Sequence, residues 1–338
     1  MTRADAHSLI PVLEQSLARH FGVSRSIIDL LQSPSPYRSS FQAEDVDLRF
    51  TDGTTMKLFL KRVGREALLK EARNAKPPFL YNPMREISTY QAILQSNELG
   101  TAVFYGSFVD QGTERYWLFL EKVPGTVLCE VGDFKIWEEV ARWLGGMHTR
   151  LAGAVELHGR SGHLLRYDGD FYRRWVARAR EYTKLDGRHL RQRNRVMEWL
   201  DQHYDRIIDR LLALPPVFIH GEFYPSNVLV QKTPRGTRIC PVDWEMSGVG
   251  PGLMDLAALI AGRWSEEQRT ALALAYHSVF NAEGSRRERR EEFLTALECC
   301  RLHLAVQSLG WSSEWSPPPE HEHNWLHEAL WLIEKISL

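Results

Sequence analysis

The sequence predicts an α+β fold in two lobes, a small antiparallel-sheet lobe over residues 1–123 and a larger helical lobe over 124–338. Three observations predict it. Alternating apolar runs joined by tight turns fill the first third of the chain: Val46, Leu48 and Phe50 alternate, Asp52-Gly53 turns, and Met56–Val63 returns. Pro124-Gly125 then breaks the pattern. Beyond it, apolar residues recur at helical spacing, first at Phe134, Trp137, Val140, Ala141, Leu144 and Met147. A chain of 338 residues is long enough to bury a core in each lobe.

The elements follow in order. Leu9, Ile10, Leu13 and Leu17 mark a helix over Ser8–His20, and Ser-Pro-Ser-Pro-Tyr-Arg-Ser-Ser at 33–40 ends it. In Met56–Val63, Lys57, Phe59 and Lys61 share one face and Leu58 and Leu60 the other. Lys61 beside Phe59 has two readings, an edge-strand lysine that blunts aggregation or a charge with a partner. Met84–Ser96 reads as a helix in which Glu86 shares the inward face of Tyr90 and Ile93. A carboxylate on an inward face calls for a cation, and Lys61 is the candidate. Strands follow at Ala102–Phe108 and Arg115–Val123, turned by Asp110-Gln-Gly112. Further helices are expected over Phe171–Arg180, Gln192–Leu212, Leu253–Gly262, Gln268–Phe280, Arg290–Leu309 and Trp325–Ile336.

Composition excludes several classes. The net charge is −1, so no whole-chain field draws the protein to nucleic acid or an anionic membrane. No apolar run reaches the ~18 residues of a membrane helix. The first residues lack a basic-then-apolar leader pattern. Four cysteines, two of them adjacent at Cys299 and Cys300, do not form a disulfide framework. The expectation is a cytoplasmic protein with free thiols. Between Arg160 and Arg210 thirteen Lys/Arg face eight Asp/Glu, which reads as a solvated helical face or as a patch for an anionic ligand.

The chemistry concentrates at His220–Glu245. Two strand-like runs, Val228–Val230 and Ile239–Val242, are joined by Thr-Pro-Arg-Gly. Ahead of the first stand His220, Glu222 and Asn227; at the end of the second stand Asp243 and Glu245. A hairpin brings its outer ends together, so Asn227 and Asp243 meet. An amide oxygen and a carboxylate at one point suit a hard cation such as Mg²⁺. Glu222, five residues before Asn227, stands where a base would. With Lys61 to hold phosphates and Glu86 to position Lys61, the order Lys61, Glu86, Glu222, Asn227, Asp243 fits a phosphoryl-transfer site. A phosphate loop of the GxxxxGK[ST] type, HExxH, a CxxC pair and GxSxG are absent from the sequence. His323 and His327, at i and i+4 with His321 nearby, read as surface histidines rather than a metal site.

His-Gly-Glu-Phe-Tyr-Pro-Ser-Asn, a strand, then Val-Asp-Trp-Glu closely resembles the aminoglycoside phosphotransferase and choline kinase family, which has a protein-kinase-like fold. The tail Gly250-Pro-Gly-Leu-Met-Asp255-Leu-Ala257, the run Leu118–Gly125, the strand Leu58–Lys61 and the helix Arg85–Leu94 resemble the family's later motifs and N-terminal lobe, from about Phe50 to Ala261. The resemblance implies that Asn227 and Asp243 bind Mg²⁺, that Glu222 takes the place of the catalytic carboxylate, and that His220 and Asp255 support that loop. It implies that Lys61 binds nucleotide phosphates, that the backbone of Glu121–Val123 faces the base, and that Ser39 and Ser40 contact phosphate in the turn around Ser33–Phe41. The family's usual residue at position 222 is Asp; glutamate adds a methylene, and a misplacement of about 1 Å can cost on the order of 10²-fold in rate.

The function expected is phosphorylation of a hydroxyl of a small molecule, with ATP or GTP as donor and Mg²⁺ as cofactor. The acceptor partner is an aminoglycoside, a sugar, an amino alcohol or another natural product, and neither nucleic acid nor a membrane is a partner. The basic 160–210 segment leans away from a polycationic acceptor, whereas Glu314, Glu320, Glu322 and Glu328 keep an aminoglycoside open. Trp311, Trp315 and Trp325 read as acceptor-pocket walls or as core anchors. The competing reading is a catalytically impaired nucleotide-binding pseudokinase with a regulatory role. A protein kinase is disfavoured, because twelve residues from Asp243 to Asp255 leave no room for a peptide-docking segment.

Overall fold

The computed structural model describes residues 3–36, 40–158, 162–182, 190–283, 289–311 and 323–336. The chain forms two compact units, Met1–Asn74 with Tyr81–Pro124, and Ala75–Leu80 with Gly125–Leu338. The first unit is built on a helix and a sheet, the second mainly on helices, so the α+β expectation holds.

In the first unit, α1 (Arg3–Phe21) precedes β1 (Ile27–Pro34), β2 (Ala43–Phe50), β3 (Thr55–Arg62), α2 (Lys70–Ala75), α3 (Pro83–Thr89), β4 (Phe104–Asp110) and β5 (Arg115–Glu121). The five strands form one antiparallel sheet in the order β1-β2-β3-β5-β4. Period-two alternation puts Val46, Leu48, Phe50, Leu58 and Leu60 on the face covered by Leu9, Leu13 and Leu17 of α1. Full burial of such side chains contributes roughly 1.5–3 kcal/mol each. Because β3 lies between β2 and β5, Lys61 stands on a central strand, which overturns the edge-strand reading. The helix expected to run to Ser96 is α-helical only to Thr89; Tyr90–Leu94 winds as a π-helix, with the Gln95 amide bonded to the Tyr90 carbonyl at 2.9 Å. The wider turn keeps Tyr90, Ile93 and Leu94 all buried.

In the second unit follow β6 (Thr126–Val127), α4 (Phe134–Arg150), α5 (Ala152–His158), β7 (Leu165–Arg166), α6 (Gly169–Tyr182), α7 (Leu190–Leu212), β8 (Pro216–Ile219), β9 (Val228–Thr233), β10 (Gly236–Pro241), β11 (Gly248–Pro251), α8 (Leu253–Leu259), α9 (Glu266–Glu283), α10 (Arg290–Leu309) and α11 (Trp325–Lys335). The expected hairpin is β9–β10, with β6 added beside β9. A second small sheet sets β11 parallel to β7 and antiparallel to β8. Helix α4 packs on α9, and α10 lies against α6, α7, α8 and α11. The strands β6, β7, β8 and β11 and the helices α2 and α5 were not expected; most are too short to show a period. Three arginines of the basic segment pair at the surface: Arg173 with Asp205, Arg180 with Asp201 and Arg195 with Glu334. That favours the solvated-face reading.

The four cysteines have free thiols. Among the described residues no helix is long and apolar enough to cross a membrane.

Candidate active site

In the first unit the sequence places a lysine on β3 and a glutamate on α3, and the fold joins them. Asn82 caps α3 by accepting the Met84 amide at 3.0 Å, which fixes the helix start four residues before Glu86. Lys61 Nζ lies 2.6 Å from Glu86 Oε2, and the two side chains are 8% and 2% exposed. An ion pair this well covered costs desolvation and gains it back only through good geometry. It holds the ammonium in one place. Lys61 also lies 5.7 Å from the Phe41 ring. At the end of β5, the Glu121 amide donates to the Val103 carbonyl at 2.8 Å, so that amide is not the group that would read a base. Val123 follows and is buried. The Ser40 carbonyl accepts the Leu69 amide at 3.0 Å; Ser39 lies outside the described residues.

In the second unit the loop from His220 to Asn227 is held by hydrogen bonds to several of its backbone amides and to the His220 and Asn227 side chains. The His220 amide donates to Asp255 Oδ2 at 2.7 Å and the Gly221 amide to Asp255 Oδ1 at 2.8 Å. One carboxylate on α8 thus takes two successive loop amides. Gly221 has φ +85°, and a Cβ there would stand 2.2 Å from the Met246 carbonyl oxygen. Only glycine fits this close approach.

The His220 ring bridges the two halves of the site. Nε2 is 2.9 Å from the Val242 carbonyl, which makes it the donor. Nδ1 is then an acceptor, and it takes the Glu222 amide at 3.3 Å. A neutral imidazole in one tautomer therefore ties the backbone of Glu222 to the residue before Asp243.

Asn227 is oriented in the same way. Its Nδ2 donates to the Glu222 carbonyl at 3.0 Å, which leaves Oδ1 as the end that can bind a cation. The Val242 amide donates to the Asn227 carbonyl at 2.9 Å, closing the hairpin beside Asp243. Asp243 itself has φ +66° and ψ +61°, a left-handed conformation that a non-glycine residue adopts only when its surroundings impose it. An amide oxygen and a carboxylate match the hard oxygen donors Mg²⁺ takes, and that ion binds through few protein ligands plus waters and phosphates. Among the described residues no group of three or more His, Cys, Asp or Glu side chains could hold a metal ion. Burial, with the Glu222 carboxylate nearby, pushes the Tyr224 hydroxyl above its ordinary range.

Three residues around this site were missed from sequence. His148 on α4 and Tyr276 on α9 form a buried chain behind Asp255: His148 Nε2 is 3.2 Å from Asp255 Oδ2, and Nδ1 is 2.9 Å from the Tyr276 hydroxyl. The signal for His148 was its place four residues after Leu144 on the apolar face of α4. Lys76 was missed as well; its Nζ is 2.5 Å from Glu245 Oε2. The fold brings Glu222, Asn227, Asp243, His220 and Asp255 together in the second unit and Lys61 with Glu86 in the first. Trp311 packs on Trp175 at 5.5 Å, as a wall of the helical core, and His323 pairs with Glu328 at 3.5 Å; Trp315, Glu314, Glu320, Glu322 and His321 lie outside the described residues.

Comparison with known proteins bears on the fold and the family. A protein of Ralstonia eutropha JMP134, provisionally assigned as an aminoglycoside phosphotransferase, superposes with a TM-score of 0.60 at 15% identity, covering 98% of this chain and 99% of its own. A microcompartment-associated aminopropanol kinase superposes at 0.56 with 14% identity, over 96% of this chain and 94% of that one. The GDP complex of aminoglycoside 2′-phosphotransferase-IIIa superposes at 0.54 with 14% identity, over 96% and 97%. At such identities these likenesses show the fold. No curated protein matches by sequence. The family model described as the phosphotransferase enzyme family matches residues 49–293, more than half of the chain, and the protein belongs to that family.

Proposed function

We propose that this protein transfers the γ-phosphoryl group of ATP or GTP to a hydroxyl of a small molecule, with Mg²⁺. The observation that supports this most is the His220 bridge. It aligns the backbone of Glu222, the candidate base, with the turn that carries Asp243, the candidate metal ligand. In this reading Asn227 Oδ1 and the Asp243 carboxylate hold the metal, which supplies charge neutralisation on the phosphates. Lys61, kept in place by Glu86, binds nucleotide phosphates as a point charge. The Ser40 region covers phosphate, and the Glu121 carbonyl and Val123 amide read the base edge. Glu222 accepts the hydrogen bond of the acceptor hydroxyl and takes its proton as the new bond forms. His220 and Asp255 touch neither substrate and act by holding the loop. Catalysis is then mostly positioning and electrostatics, which tolerates a longer carboxylate if the loop backbone is set for it.

Solved structures similar to this chain include an aminopropanol kinase and an aminoglycoside phosphotransferase. An amino alcohol, a sugar or an aminoglycoside is the acceptor class to screen. Thermal shift with ATP, GTP and Mg²⁺ tests nucleotide binding. A mass-spectrometric screen of alcohols, sugars and aminoglycosides then seeks a product one phosphate heavier. Glu222→Ala should keep nucleotide binding and lose turnover. Binding without turnover on any acceptor would favour the pseudokinase reading, for which the glutamate at 222 is the specific support.

A further inference from the structure

The turn around Asp243 is anchored from both sides, and the downstream anchor comes from far away in sequence. Upstream, Val242 is held by the Asn227 carbonyl and by His220. Downstream, the Trp244 indole donates to the Pro241 carbonyl at 3.2 Å, and Glu245 meets Lys76 at 2.5 Å. The Lys76 and Glu245 side chains are 6% and 9% exposed, and they stand 169 positions apart. Asp243, between these anchors, is left-handed. Such a conformation costs a non-glycine residue roughly 1–3 kcal/mol and persists only where both flanks are fixed.

Lys76 is itself on a rigid mount. It lies in Ala75–Leu80, a short segment that belongs to the second compact unit although the chain on either side belongs to the first. Ala75 and Leu80 are buried, and the Leu80 amide donates to the Pro77 carbonyl at 3.0 Å. Phe79 stands edge-on to Trp175 at 5.6 Å and to Phe171 at 6.4 Å on α6. A buried ion pair is rarely more stabilising than an apolar pair of the same volume. What it adds is a fixed geometry, and it neutralises a carboxylate two residues from the metal ligand.

We propose that Lys76 is a positioning residue for the metal site: through Glu245 it fixes the turn that presents the Asp243 carboxylate. The proposal rests on the phosphotransfer reading above. Removing the pair frees the downstream flank, so the Asp243 backbone relaxes and metal affinity falls. Loss of an outer partner of this kind lowers metal affinity on the order of 10–100-fold.

The test measures Mn²⁺ binding by the decrease of the free-ion paramagnetic signal, with a non-hydrolysable ATP analogue present. Lys76→Met alone removes the cation beside the buried Glu245 carboxylate and is a folding risk. The double variant Lys76→Met/Glu245→Met keeps volume, removes both charges, and is expected to fold with a Tm within a few degrees of wild type. It is expected to bind Mn²⁺ about 10-fold or more weakly, while binding the nucleotide without metal as wild type does. Wild-type Mn²⁺ affinity in the folded double variant would overturn the proposal and leave the phosphotransfer reading standing. No Mn²⁺ binding by the wild type itself would overturn both.

Discussion

Asp255 Oδ2 lies 2.7 Å from the backbone amide of His220, and its second oxygen takes the next amide of the loop. A carboxylate is an acceptor at both oxygens, so one side chain satisfies two loop donors that have no other place to go once buried. Asp255→Asn replaces one oxygen with a donor facing a donor. The expected loss is about 2–3 kcal/mol, read from urea denaturation, together with loss of turnover. A variant of wild-type stability would show that the loop is held elsewhere.

Gly221→Ala asks a residue with a Cβ to adopt φ +85° and to clear the Met246 carbonyl oxygen at 2.2 Å. The left-handed backbone alone costs roughly 1–2 kcal/mol, and the clash adds to it. Turnover should fall below detection even if the protein remains soluble. Tyr167→Phe should not rescue it, because the closest atom belongs to the backbone.

Lys61 and Glu86 make a covered pair, so their loss is not additive. Lys61→Met removes the cation beside a buried carboxylate and should cost about 3–5 kcal/mol. Adding Glu86→Met should recover most of that stability. Nucleotide affinity should stay low in both, since the phosphate-binding charge is gone. Denaturation curves and a nucleotide titration on the three variants separate the two effects.

His303 supplies a pH dependence. Burial alone lowers its pKa from 6.5 to about 3, and Nδ1 is 2.6 Å from the Tyr204 hydroxyl. The folded pKa is depressed, so the unfolded chain takes up a proton first as pH falls. Stability is therefore full above about pH 6.5 and declines toward about pH 3. The slope from this group is at most about 1.4 kcal/mol per pH unit. Urea midpoints across that window should flatten in His303→Gln; an unchanged slope would assign the dependence to other groups.

Much of this architecture was legible in the chain itself, and the reason is distance in sequence. Two-residue and helical periods are local, so the β2–β3 and β9–β10 hairpins and most long helices followed from apolar spacing. A short hairpin fixes which of its ends meet, so the pairing of Val242 with Asn227 followed from the sequence. The inward face of α3 asked for a cation, and Lys61 supplied it. What only the tertiary structure decided were contacts whose cost is closure of a long loop and whose benefit is burial: Asp255 on the amides of His220 and Gly221, the chain through His148 and Tyr276, and Lys76 on Glu245. No local pattern marks Ala75–Leu80 as part of the second unit, because its tie to that unit runs through contacts such as Phe79 on Phe171 and Trp175, far downstream in sequence. The left-handed turn at Asp243 has the same origin: the conformation, costly for a non-glycine residue, is held by neighbours on both sides.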